Sequence, residues 1–122
     1  MPKRLLLIVL LVASCQTSPP KDTGSVTTSG PAGSQVVRLE MTSALTFVPN
    51  HVRARVGQVT ITAANTGQVP HNLVFDDASI GKTGTVAGKT SANLTVTFAR
   101  AGTYTFQCTF HPRMAGTVAV TR

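Results

Sequence analysis

Cys108, His111 and Met114 fall within seven residues of one another, in the run Tyr104-Thr105-Phe106-Gln107-Cys108-Thr109-Phe110-His111-Pro112-Arg113-Met114-Ala115-Gly116. An alternating run stops at the cysteine, and a second one starts beyond Gly116. The spacing therefore predicts one tight turn between two strands, carrying a thiolate, an imidazole and a thioether. Those donors suit copper, above all a site that must accept both Cu(I) and Cu(II). The same residues would also occur with Cys108 as a small buried hydrophobe and Met114 as core filler. His71 favours the metal: it follows Pro70, precedes Asn72 and opens a predicted strand that a sandwich can bring to the same end. Two imidazoles and a thiolate with a weak axial thioether form a blue-copper electron-transfer set.

The elements that must position these residues are short strands. With 122 residues, 42% hydrophobic and 12% charged, the chain is long enough for one domain. Strand signals recur with turn residues every 8–12 positions. Strands are predicted at 36–41, 52–56, 59–63, 71–75, 94–98, 103–108 and 117–121, with a short one at 85–86. Val52, Ala54 and Val56 are expected to point inward, and residues 47–50 to form a turn or irregular edge. No helical period of useful length appears. Seven or eight strands imply an all-β Greek-key sandwich or barrel.

The N-terminus reads as an address. Met1-Pro2-Lys3-Arg4 is basic, and nine apolar residues follow from Leu5 to Ala13. That run is too short to span a bilayer, which needs about 20 residues. It has the form of a secretory signal over residues 1–14. Val12-Ala13-Ser14-Cys15 resembles the bacterial lipobox, which implies cleavage before Cys15 and lipid attachment to it. The expected location is extracytoplasmic, in the periplasm or at the outer cell surface. Residues 15–35 are expected to be a disordered tether. Fourteen of the twenty residues from Gln16 to Gln35 are Gly, Pro, Ser or Thr, too few apolar groups to offset the entropy of ordering. The folded domain is expected over 36–122.

The formal charge is +7, or +5 without Lys3 and Arg4. The positive residues are scattered, as on a solvated basic surface that can also steer an acidic partner. Few aromatics and no known motif argue against nucleic-acid binding. His51 is expected to be exposed and Asp76-Asp77 to end a strand. No nucleophile–base pair suggests hydrolysis, so the protein is not expected to be an enzyme, and a monomer is expected.

The segments Phe47-Val48-Pro49, Pro70-His71-Asn72 and Tyr104-x-Phe106-x-Cys108-x-x-His111-x-x-Met114-x-Gly116-x-Val118-x-Val120 resemble the cupredoxins, the plastocyanin and amicyanin group. The resemblance covers 36–122. The two-residue gaps on both sides of His111 are most similar to amicyanin. By this resemblance His71, Cys108, His111 and Met114 hold one copper ion. The implied function is single-electron transfer between redox proteins such as a cytochrome, an oxidase or a dehydrogenase. A copper scavenging or delivery protein would use the same ligands.

The resemblance also implies a backbone N–H bond from Asn72 to the thiolate. Phe110 stands where amicyanin and plastocyanin have proline. Unlike proline it keeps an N–H, so a second N–H···S bond is expected, with a lower reduction potential than proline would give. Phe110, Pro112 and Pro49 are expected to form an apolar patch around His111, where a redox partner docks.

Overall fold

A computed structural model describes residues 18–122, which form nine strands and no helix. The strands are β1 (Ser25–Thr27), β2 (Gln35–Met41), β3 (Phe47–Val48), β4 (His51–Arg55), β5 (Gly57–Asn65), β6 (Val74–Phe75), β7 (Ser91–Phe98), β8 (Gly102–Gln107) and β9 (Ala115–Thr121). They build two mixed sheets, ordered β1-β4-β9-β8-β6 and β3-β2-β5-β7. The all-β sandwich expected from the sequence is the fold.

Alternation explains the core. Val37, Leu39 and Met41 on β2 point inward, as do Val59, Ile61 and Ala63 on β5 and Val118 and Val120 on β9. Val52 and Ala54 are buried, while Val56 lies beyond the end of β4 and only packs against the core. Phe47, Phe75, Phe98 and Phe106 fill the space between the sheets, with edge-on ring pairs at 4.9–5.9 Å. Phe47 thus belongs to a two-residue strand at the edge of its sheet, where a turn or irregular edge was expected. Gly116 lies directly over the Phe106 ring and the Asn50 carbonyl, and a Cβ there would strike both.

Two further expectations change. Residues 71–75 are strand only at Val74–Phe75. His71 instead makes an isolated bridge with Val86, so residues 85–86 are no strand but a brace for the His71 segment.

The tether expected over 15–35 is corrected as well. Residues 15–17 lie outside the described part, but from Thr23 onward the chain is built into the domain. β1 pairs in parallel with β4, with Ser25 opposite His51 and Thr27 opposite Arg53. Apolar burial contributes only through Val26, which packs against the core. The rest of the order comes from backbone pairing along an open strand edge and from a buried amide. Gln35 is 1% exposed. Its Oε1 accepts from Thr28 Oγ1 (2.7 Å) and Arg55 N (2.9 Å), and its Nε2 donates to the Arg55 and Ala32 carbonyls (2.8 and 3.1 Å).

Gln35→Ala would leave these partners unpaired in a buried place. Such a loss costs about 2–3 kcal/mol. Urea unfolding followed by circular dichroism should show a destabilisation of that size, with the slope of the transition unchanged.

Candidate metal centre

Three donors converge at one end of the sandwich. One nitrogen each from His71 and His111 and the Cys108 sulfur lie within 4.8 Å of one another. The thiol is flanked by ring nitrogens, with Sγ 3.8 Å from His71 Nδ1 and 3.5 Å from His111 Nδ1. The two imidazoles meet at 64° with centroids 4.9 Å apart.

Each donor has its own support. Cys108 follows β8 directly and is buried. Its N–H donates to the Met114 carbonyl (2.9 Å), which closes the turn, and Met114 N–H reaches back to the His111 carbonyl (3.4 Å). Met114 is itself buried in the core at the start of β9. His71 is fixed by a pair of backbone bonds with Val86, His71 N to Val86 O (3.1 Å) and Val86 N to His71 O (2.7 Å). Asn65 Nδ2 donates to the carbonyls of Val69 and Val86, which ties both sides of that bridge to β5. The Thr83 hydroxyl accepts from Leu73 N–H (3.0 Å). Of these supports, Val86 stood out in the sequence only as part of a short strand.

The ring of His71 is oriented by Thr42. Its Nε2 lies 3.0 Å from the Thr42 carbonyl, which can only accept. The proton therefore sits on Nε2, and the Nδ1 lone pair points toward the thiol. A backbone carbonyl behind a histidine ligand fixes the tautomer in this way. His71 is 0% exposed. Burial pushes its pKa below 6.5, the Thr42 carbonyl opposes that shift, and His111 adds to it. The ring is thus held neutral, the form that binds metal. His111 is only half-buried, so it presents an edge to the surface.

The donor chemistry fits copper. A thiolate and two imidazoles on rigid supports, next to a buried methionine, satisfy soft Cu(I) and borderline Cu(II) without a change of ligands.

The two expected N–H donors, Asn72 and Phe110, also place their side chains beside the ligand turn. Asn72 acts through its side chain: Oδ1 accepts from Thr109 N (2.8 Å) and Nδ2 donates to Thr109 Oγ1 (2.8 Å). It latches the turn next to the cysteine, whose sulfur faces the two ring nitrogens. The expected sense of the potential shift is reversed. A donor to thiolate withdraws charge from the sulfur and favours Cu(I), so an added bond would raise the potential.

Two of the three residues expected in the apolar patch are exposed at the ligand turn. Phe110 is 49% exposed, with its ring 6.5 Å from that of His111, and Pro112 is exposed. Pro49 is half-buried beside Gly24. Leu45, in the loop after Thr42, and Val69, two residues before His71, are also exposed. His51 is more constrained than expected, with Nδ1 3.0 Å from Thr117 Oγ1 and Nε2 3.7 Å from Asp22.

The His71 environment has a pH consequence. The unfolded chain takes up a proton near pH 6.5, whereas the folded chain resists protonation to lower pH. In that interval the unfolded state holds more protons, so stability falls as pH falls. The urea midpoint of the metal-free protein should decline from pH 7 to pH 5, and His71→Gln should flatten that dependence.

Comparisons with known proteins agree with the geometry. A family model described as a cupredoxin-like domain matches residues 4–120. No curated protein matches the chain. Among solved structures, the chain is similar to a point mutant of amicyanin in its reduced Cu(I) form, at 28% identity over 70% of this chain and 81% of that one, with a TM-score of 0.58. Auracyanin A from Chloroflexus aurantiacus, a "blue" copper protein, shares the fold at 20% identity, 73% and 100% coverage and a TM-score of 0.66. The metal-binding domain of a Cu(I)-exporting ATPase of Streptococcus pneumoniae shares it at 19% identity, 84% and 100% coverage and a TM-score of 0.66. With the family model spanning nearly all of the chain, and the two histidines and the cysteine brought together at one end of a β-sandwich, this protein belongs to the cupredoxin-like domain family.

Proposed function

We propose that this protein is a membrane-anchored type 1 copper protein that carries single electrons between extracytoplasmic redox partners, and that it is not an enzyme. One observation carries the reading: a buried thiol flanked by two imidazole nitrogens, one of them held neutral and aimed by the Thr42 carbonyl. Copper bound there supplies a one-electron couple.

The chain's own residues do the rest. His71 and Cys108 stand on the sheet framework, and the Cys108–Met114 backbone bond holds the turn that carries His111. Donors fixed in this way need little rearrangement when charge changes. The half-buried His111, with the exposed Phe110 and Pro112 beside it, offers an edge that a partner can approach without water between. The amicyanin likeness, at 28% identity and with copper in that structure, supports this reading. A cytochrome, an oxidase or a dehydrogenase is the class of partner proposed. The anchor is proposed to be lipid on Cys15, after cleavage of residues 1–14.

Reconstitution with Cu(II) tests the assignment. The expected result is an intense visible thiolate-to-copper band and a reversible one-electron wave in voltammetry. Cys108→Ser should abolish the band. A band that persists in that variant, or a colourless protein that readily yields Cu(I) to a chelator, would contradict the proposal.

A further inference from the structure

The N-terminal arm is fastened at the metal-bearing end of the sandwich. β1 runs parallel to β4, which runs parallel to β9, and β9 begins immediately after Met114. Residues before Ser25 therefore lie at the end that holds the metal donors. There Asn50, 3% exposed, clasps the arm: its Nδ2 donates to the Lys21 carbonyl (2.8 Å) and its Oδ1 accepts from Thr23 N (2.9 Å). The Thr23 hydroxyl donates to the Phe47 carbonyl, and His51 N–H donates to the Gly24 carbonyl (3.1 Å). Asn50 is itself locked to the ligand turn, because its carbonyl accepts from Thr117 N (2.9 Å), three residues after Met114. Pro19 and Pro20 then line a cavity with Ala115 and Gly116, at the start of β9.

From these contacts we infer that the arm holds the metal-bearing end of the domain close to the membrane, so that its electron partner is a protein seated in that same membrane. The inference rests on the lipid-anchor reading of Cys15. The distances decide it. A free chain from residue 15 to residue 35 could reach about 70 Å when extended, and the domain could then turn any face outward. Between Cys15 and the clasped Lys21 only six steps remain, which span at most about 20 Å. The anchor and the metal donors then share one end, and the half-buried His111 with the exposed Phe110 beside it lies within reach of a membrane-seated protein. The opposite end, where Val36 is exposed, faces away.

The test uses the full, lipid-bearing, copper-loaded protein on vesicles whose lipids carry headgroup nitroxides at low density. Pulsed dipolar resonance between Cu(II) and the nitroxides reads the distance from the metal to the membrane. The expected result is a short, narrow distribution that lengthens and broadens when Asn50→Ala and Thr23→Val release the arm. The same release should slow copper reduction by native membranes several-fold and leave reduction by ascorbate unchanged. A broad distribution in the unmodified protein would overturn the inference even if the variant failed to fold. So would equal reduction rates by native membranes before and after release. Mass spectrometry showing no lipid on Cys15 would overturn the anchor reading and this inference together; lipid present with a broad distribution overturns this inference alone.

Discussion

The backbone hydrogen bond from Cys108 to Met114 is the contact on which the metal centre depends. It joins the end of β8 to the start of β9 across a turn that contains both Cys108 and His111. The bond fixes the separation of the two strands at the point where the core ends. Gly116 lets β9 pass over Phe106 and the Asn50 carbonyl without a side chain in the way. The Phe106 ring packs in turn against Phe47 and Phe75, so the closed turn is seated on the aromatic core. A centre built on this seat inherits the rigidity of the packed interior. His71 arrives from elsewhere in the chain, and its position is set by the Val86 bridge and the Thr42 carbonyl.

Much of this was legible in the sequence because donor side chains carry their chemistry in their type. A thiol, an imidazole and a thioether at three-residue spacing leave few other uses, and the alternation around them marked the strands. The supports were harder to read. Thr42 and Val86 act through main-chain groups, which every residue has, so no residue type marks them. Asn72 drew notice for its backbone N–H, while its side chain latches Thr109. Phe110 drew notice for its backbone N–H, whereas its exposed ring beside His111 follows from the fold.

The N-terminal segment shows where compositional reasoning fails. Its shortage of apolar residues is real, yet disorder does not follow from it. A strand edge such as that of β4 offers unpaired N–H and C=O groups, and these order a polar chain at no apolar cost. Two buried amides complete the attachment: Gln35 at the far end of β4 and Asn50 at the metal end. Neither differs by composition from an ordinary loop residue. Only their burial reveals them, and burial depends on the whole sandwich.

A donor set that is ready before the metal arrives, and unchanged by its charge, is the central claim. X-ray absorption at the copper edge on the reconstituted protein in both oxidation states tests it most directly. The predicted result is one short sulfur shell and two imidazole nitrogens in each state, with only small changes in distance between them. Loss of an imidazole on reduction, or a sulfur shell that disappears in either state, would contradict it.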